Sequence, residues 1–391
     1  MTNTIHPGLE DGNASLRALS EASATGLLEL AVIVPTYNEQ ANVAGIVERT
    51  ERALEGIVHE IIFVDDDSPD GTSEAVRTIA LHRRHVRLIR RIGRRGLASA
   101  CLEGMMATAA PYVAVMDGDL QHDESILRKM LLRARQDRLD VVIGSRHAAG
   151  ASMGQFEAQR VRLSNLGLRL SRLVLHTTVS DPMSGFFLAD RRFIDECIYR
   201  TSGVGFKLLV DLLASARRPV AVAEVPYTFR LREAGQSKLD LMVGFEYLCL
   251  VLDKLTGGLI PPGFAMFTVV GAGGVVIYLA ALGLLYWNGR ASFATAQVAA
   301  TGLAMTANFL LNNLFTYRHA RLRGSRLLTG LLTFYAACSV GAAINVSVSG
   351  DLLRHGLPWI LSGLAGLAIS SVWNYGVTSV TTWRAKRRRQ L

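Results

Sequence analysis

Four stretches without a charged residue fill most of the last third of the chain: 263–289, 291–317, 327–350 and 355–383. Each exceeds the roughly 20 residues a helix needs to cross a bilayer. Between Gly263 and Trp383 there are six Arg, no Lys and a single acid, Asp351. The stretches are rich in Gly, Ala, Ser and Thr, which lets membrane helices pack closely. An all-α membrane domain of four helices is the expectation, with spans near 263–287, 293–316, 327–349 and 357–382.

The loops predict its orientation. Arg318, Arg321, Arg323 and Arg326 crowd the second loop, and Arg384, Lys386, Arg387, Arg388 and Arg389 end the chain. The first loop carries Arg290, and the third carries Asp351 and Arg354. Basic loops stay on the cytoplasmic side. Both termini, and everything before the first span, are therefore expected in the cytoplasm. The net charge of +9 then reads as a topology signal and an attraction to anionic lipid headgroups. No nucleic-acid recognition module is visible. Without buried acids or paired charges in the spans, ion-coupled transport is not expected.

Half of the 391 residues are hydrophobic and 19% are charged. That is too apolar for a soluble enzyme and too charged for a pure transporter, so a second domain is implied. The four cysteines (Cys101, Cys197, Cys249, Cys338) are far apart, which disfavours a disulfide scaffold or a cysteine zinc site. Residues 1–26 are polar and read as a flexible tail, with no apolar run of the signal-peptide kind.

From Leu27 to about Pro226, short β-branched runs alternate with helical patterns. The strand-like runs are Leu30–Pro35, Glu60–Asp65, Val86–Arg90, Tyr112–Asp117 and Val141–Ser145. The helix-like segments are Ala41–Leu54, Thr72–His82, Leu97–Ala109 and Glu124–Gln136. This alternation predicts a mostly parallel, Rossmann-like α/β sheet covered by helices. Ligands of such sheets bind beyond the carboxyl ends of the strands. Residues 240–260 read as an amphipathic interfacial segment, with Phe245, Leu248, Val251, Leu252 and Leu255 on one face, or, on the same pattern, as a core helix of the first domain. The expected boundaries are a tail 1–26, an α/β domain 27–239, this segment, and a membrane domain 261–391.

The polar motifs follow strand ends. The first is Pro35-Thr36-Tyr37-Asn38-Glu39. The second is Val64-Asp65-Asp66-Asp67-Ser68-Pro69-Asp70-Gly71-Thr72, four acids in six residues that need donors or a cation; Asp70 and Thr72 are expected to cap the next helix. The third is Asp117-Gly118-Asp119-Leu120-Gln121-His122, whose paired carboxylates suit Mg2+ or Mn2+ completed by diphosphate oxygens. A basic set accompanies them: Arg146 after a strand, Arg160 and Arg162, Lys207, and Arg230, Arg232 and Lys238 in a Gly-containing loop. Arginine forks and a lysine point charge suit phosphate. Acidic strand ends and a basic loop just before a membrane domain suggest a phosphate acceptor that arrives from the bilayer.

The ordered set PTYNE, VDDDSPDGT, DGDLQH, GSR, SDPMSGFF, GFK and GQSK over about residues 30–240 resembles the family 2 glycosyltransferases of the GT-A fold, nearest to dolichol- or polyprenol-phosphate mannose synthases. NFLLNNLFTYR at 308–318 and WNYG at 373–376 resemble the four-span GtrA module. The resemblance implies that Pro35, Tyr37, Glu39, Val64 and Asp66 hold the nucleotide. It implies that Asp117, Gly118, Asp119 and Gln121 meet metal and sugar diphosphate, the metal ligands being Asp117, Asp119 and Gln121. Arg146, Arg160 and Ser164 would hold the lipid phosphate, and Lys207, Arg232 and Lys238 would complete the donor contacts. Asp119, Arg146 and Arg160 would carry the catalysis. The family usually has alanine where this chain has Gly118, a change expected to spare metal binding.

The implied reaction is transfer of mannose from GDP-mannose to a polyprenyl or dolichyl monophosphate, with Mg2+ or Mn2+. The phosphate is already an anion and needs positioning more than a base, so Asp181 is expected to shape a loop rather than to take a proton. In-line displacement would invert the anomeric centre. Three readings stay open: a UDP-sugar such as UDP-glucose with undecaprenyl phosphate, a processive polysaccharide synthase, and a lipid-sugar carrier or flippase without catalysis. The second lacks its QxxRW motif, since none of the four Trp sits in one; the third is disfavoured by the intact acidic motif. The membrane module is expected to anchor the enzyme and to support homo-oligomerisation.

Overall fold

The computed structural model describes residues 26–146, 171, 173–175, 177–203, 205, 207–230, 241–287, 292–317 and 320–383. Contacts divide the chain into two compact units, with the break between Leu259 and Ile260.

The first unit is built on seven strands: β1 Leu30–Thr36, β2 His59–Asp65, β3 Val86–Arg90, β4 Tyr112–Val115, β5 Val141–Ser145, β6 Phe187–Asp190 and β7 Val222–Pro226. Their order across the sheet is β3-β2-β1-β4-β6-β5-β7. Every pairing is parallel except those of β6, which runs antiparallel to β4 and to β5. β1 is apolar almost throughout and β2 is apolar over residues 61–64, and both are buried on both faces, as central strands of a covered sheet must be.

Alternate residues of β1 feed two cores. Leu30, Val32 and Val34 pack with α1 (Val43–Ala53) and α4 (Leu127–Gln136). Ala31 and Ile33 pack with α3 (Leu97–Met106) and α6 (Leu208–Ser215). The buried Val43, Ile46, Val47 and Thr50 of α1 follow the 3–4 spacing of one helical face. α2 (Thr72–Ala80) and α5 (Arg191–Cys197) complete the helices that flank the sheet.

Three features depart from the sequence reading. β4 stops at Val115, so Met116 and Asp117 already belong to the loop. β6, β7, α5 and α6 have no counterpart in it. On α7 (Leu241–Leu255), Val251 is buried with Tyr247 and Leu250 against Val210, whereas Leu248, Leu252 and Leu255 are exposed. Docking on α6 rotates Val251 off the apolar face to which its spacing assigned it.

The second unit holds α8 (Pro262–Trp287), α9 (Phe293–Leu314), α10 (Ser325–Arg354) and α11 (Trp359–Thr381). α8 pairs with α9, and α10 with α11. Gly274 faces the Asn308 amide and Gly341 faces the Asn374 amide, with no room for a Cβ at either glycine. Small residues let these helices close on one another. Among the described residues, α8, α10 and α11 are long and apolar enough to cross a membrane. α9 is also free of charge but is diluted by Gln297, Asn308, Asn312 and Asn313.

An aromatic hub closes one end of this unit. Trp383 stacks on Tyr317 at 4.1 Å, and its indole N–H donates to Asn313 Oδ1 at 3.0 Å. The same amide pins Leu322 through its N–H (2.8 Å) and its carbonyl (3.2 Å).

Candidate active site

Loops that leave the carboxyl ends of β1, β2, β4 and β5 meet the N-terminal end of β6 along one edge of the sheet. Asn38, Asp67 and Leu120 follow β1, β2 and β4, and each has φ near +60°. Non-glycine residues rarely adopt that region, and strained backbone concentrates at functional sites. All three lie in the motifs singled out in the sequence, but periodicity cannot reveal their backbone conformation.

The acids after β2 have distinct surroundings. Asp65 is fully buried and accepts from Thr36 Oγ1 (3.2 Å), Ser68 N (3.1 Å), Ser73 Oγ (2.6 Å) and the Ser68 hydroxyl. It organises the loop. Asp66 accepts from Gly96 N at 2.6 Å, and its Oδ1 lies 2.9 Å from Arg91 Nη1 without hydrogen-bond geometry. Burial pushes the Asp66 carboxyl up, against the pull of Gly96 and Arg91. Arg91, only 2% exposed, had no place in the sequence reading. Asp67 pairs with Arg90. Asp70 takes Thr72 N at 3.0 Å and Gln40 N at 3.1 Å, so it satisfies the first N–H of α2, but the N-cap position expected of Asp70 or Thr72 is held by Gly71. Thr72 Oγ1 in turn accepts from Glu39 N at 3.0 Å.

Of the first motif, Pro35 and Val64 are buried in the sheet, so only their backbone can reach a ligand. The Tyr37 ring lies under the Arg95 guanidinium, 4.3 Å away. Glu39 Oε2 accepts from Asn42 Nδ2 at 2.7 Å, and that amide also reaches Gly118 O at 3.2 Å. A Cβ on Gly118 would stand 3.2 Å from Thr36 Cγ2 and 3.3 Å from Pro35 O, so the turn after β4 lies tight against β1.

Asp117 and Asp119 share this turn. Asp119 Oδ1 accepts from Gln121 N at 3.2 Å. Gln121 donates its amide to Arg230 O at 3.1 Å, and its Oε1 makes no hydrogen bond among the described residues. Asp117 Oδ2 is 3.2 Å from His122 Nε2, and His122 Nδ1 is 2.8 Å from Tyr227 Oη. Burial would raise the Asp117 carboxyl, but the His122 hydrogen bond and the charges of Lys207 and Arg146 hold it below the ordinary range. Burial pushes the Tyr227 phenol far up. A Cβ at Gly185 would come within 2.6 Å of Asp117 Oδ2, so only glycine leaves that carboxylate its place.

The donor set of Asp117, Asp119 and the Gln121 carbonyl is hard oxygen, which fits Mg2+ or Mn2+. Among the described residues no cluster of three His, Cys, Asp or Glu could hold a metal unaided.

The basic side is clamped. Arg146 Nε and Nη2 donate to both oxygens of Asp181 (2.8 and 2.9 Å), and Arg146 N adds a third bond at 3.2 Å. Ser180 Oγ and the Asp181 N–H are held by Glu224 at 2.6 and 3.2 Å. Lys207 precedes α6. Burial lowers its ammonium pKa, Arg146 lowers it further, and Asp117 and Asp181 resist. Arg230 is spent on Asp123 and Glu124. Arg160, Arg162, Ser164, Arg232 and Lys238 lie outside the described residues. The geometry thus brings Asp117, Asp119, Gln121, Arg146 and Lys207 to one edge and adds His122, Tyr227, Gly185, Arg91 and Asp181.

Comparison with known proteins agrees with this architecture. Glycosyl transferase family 2 matches residues 31–198, and the GtrA/DPMS transmembrane domain matches 266–383. The chain therefore makes a membrane protein. A dolichol-phosphate mannosyltransferase of Pyrococcus furiosus is 32% identical over 360 residues, 91% of this chain and 99% of its own. A dolichol-phosphate mannosyltransferase of Saccharomyces cerevisiae is 36% identical over 229 residues, 56% of this chain and 85% of its own. Among solved structures, glucosyl-3-phosphoglycerate synthase from Mycobacterium tuberculosis is 20% identical with a TM-score of 0.45, covering 64% of this chain and 84% of that one. With a family 2 catalytic unit, a GtrA-type membrane unit and near-complete alignment to the archaeal enzyme, the chain belongs to the dolichol-phosphate mannosyltransferases of glycosyl transferase family 2.

Proposed function

We propose that the protein transfers mannose from GDP-mannose to a polyprenyl monophosphate of the dolichyl type, inverting the anomeric centre. The observation that carries this reading is the placement of an acidic and a basic group at one edge of the sheet: Asp117 after β4, tethered by His122 at 3.2 Å, and Arg146 after β5, clamped by Asp181 at 2.8 and 2.9 Å. An acidic pair flanked by guanidinium and ammonium groups can take a metal–diphosphate on one side and a phosphate monoester on the other.

A divalent ion held by Asp117, Asp119 and Gln121 would supply charge neutralisation for the departing nucleotide diphosphate. This chain's residues do the rest. Asp66 and Tyr37 offer a buried carboxylate and an aromatic face for the base. Lys207 contributes positive charge where diphosphate oxygens accumulate it. Arg146, aimed by Asp181, aligns the acceptor oxygen behind the anomeric carbon. Arg160, Ser164, Arg232 and Lys238 complete the phosphate contacts in this reading. The acceptor oxygen is already anionic, so no side chain need remove a proton.

The test is transfer to a short-chain polyprenyl phosphate in detergent with Mn2+ or Mg2+, supplied separately with GDP-mannose and UDP-glucose. Mannose transfer alone is the expected outcome. Transfer only from UDP-glucose would replace the donor and keep the mechanism. An Asp119→Asn variant with unchanged cellular function would point to a carrier instead.

A further inference from the structure

We propose that His122 is a positioning residue that aims the Asp117 carboxylate at the divalent cation, and that Tyr227 sets the His122 ring for that task. The inference rests on the metal role of Asp117 and Asp119 proposed above.

His122 is 3% exposed, so its two ring nitrogens must find partners inside the protein. Nε2 meets Asp117 Oδ2 at 3.2 Å, and Nδ1 meets Tyr227 Oη at 2.8 Å. An ionised carboxylate can only accept. Nε2 must therefore carry the hydrogen, which in a neutral ring leaves Nδ1 as acceptor and makes the Tyr227 hydroxyl its donor. In that neutral ring the donors run from phenol to imidazole to carboxylate, and in either charge state it is Nε2–H that holds Asp117.

The ring cannot easily turn. Phe186, Tyr227 and Phe229 surround it with centroids 5.1, 5.7 and 5.7 Å away. Asp117 Oδ2 is thus confined between the His122 N–H and the site of the missing Gly185 Cβ. Its other oxygen, Oδ1, makes no hydrogen bond among the described residues, and the side chain is 34% exposed. One oxygen is tethered while its twin is left for a ligand. Such outer partners of a metal-binding side chain typically change metal affinity about 10- to 100-fold when removed.

The experiment measures Mn2+ affinity by electron paramagnetic resonance in the full-length protein, with and without GDP. It compares the wild type with His122→Phe, which keeps the aromatic packing and loses the donor, and with His122→Gln, which keeps an N–H within similar reach. His122→Phe is expected to weaken Mn2+ binding about 10-fold or more. His122→Gln should recover most of it, and transfer by His122→Phe should approach the wild-type rate at saturating Mn2+. Unchanged Mn2+ affinity in His122→Phe overturns the proposal. So does an equal loss in both variants with the same fall in melting temperature, which would make His122 a packing residue only. If Asp119→Asn binds Mn2+ as tightly as the wild type, the metal assignment itself falls and takes this proposal with it.

Discussion

Asp181 shows how the neighbours of a carboxylate decide its role. It is 1% exposed and has both oxygens in the Arg146 fork. To accept a proton it would have to give up a buried, charge-assisted pair, so it makes a poor base and a good clamp. Asp181→Asn keeps the shape and removes the charge. Losing a charge-assisted bond is worth about 1.5–3 kcal/mol, which corresponds to roughly a 10- to 150-fold fall in kcat/KM. The loss should appear mainly as a higher KM for the lipid phosphate, with the acid limb of the pH–rate profile still in place. Disappearance of that limb would identify Asp181 as the base. The acids at Asp66, Asp117 and Asp119 were legible because they follow β-branched runs. The residues that hold them in place were not. Arg91, Tyr227 and Gly185 are distant in sequence from the carboxylates they serve, and nothing local marks a glycine whose absent Cβ makes room for Asp117.

Among the elements, α7 is fastened to the α/β unit by a buried ion pair. Lys254 Nζ lies 2.7 Å from Asp211 Oδ1, and it also donates to Arg200 O (2.8 Å) and Ser215 Oγ (2.9 Å). Asp211 at the same time accepts from Ser202 N (3.1 Å) and Gly203 N (3.1 Å), in the loop that leads to Lys207. Both side chains are nearly inaccessible, so removing one leaves the other charged and unpaired. Lys254→Met is expected to destabilise the protein by about 3–5 kcal/mol, seen as a lower melting temperature in detergent. Leu248→Gln on the exposed face should change it little. An equal effect of the two would mean that apolar burial of α7, not the ion pair, holds the helix. The first five strands were legible to within about two residues because apolar runs and Gly, Pro or Asp punctuation agree there. β6 is four residues long and gains its identity from antiparallel partners on both sides. Pairing of that kind leaves no periodic trace.

For the whole molecule, charge and packing lead to one topology. The ends of α9 and α11 carry the same pattern: Asn308-Phe309 with Thr316-Tyr317, and Asn374-Tyr375 with Thr382-Trp383, at equal spacing. The last aromatic of each pattern stacks on the other, Tyr317 on Trp383, so both helix ends lie on one side of the unit. The two arginine-rich segments of the sequence begin directly after these residues, at Arg318 and Arg384. Two independent signals, the side chosen by arginine and the side shared by two helix ends, therefore coincide. They agree only if α9 crosses the bilayer despite its asparagines. Its polar groups are partly answered within the protein: Asn312 donates to Asn308 O at 2.9 Å and accepts from Thr316 Oγ1 at 2.7 Å, as crossing hydrocarbon requires. Four spans with the catalytic unit in the cytoplasm are the prediction. Cys101, Cys197 and Cys249 are buried, so with Cys338 replaced by serine a thiol reagent should find little background. In intact cells a membrane-impermeant maleimide is expected to label Leu357→Cys in the third loop. It should reach Ser325→Cys, at the start of α10, only after permeabilisation. The reverse pattern would place the arginines and the catalytic unit outside, and labelling of both positions would mean that α10 does not cross the membrane.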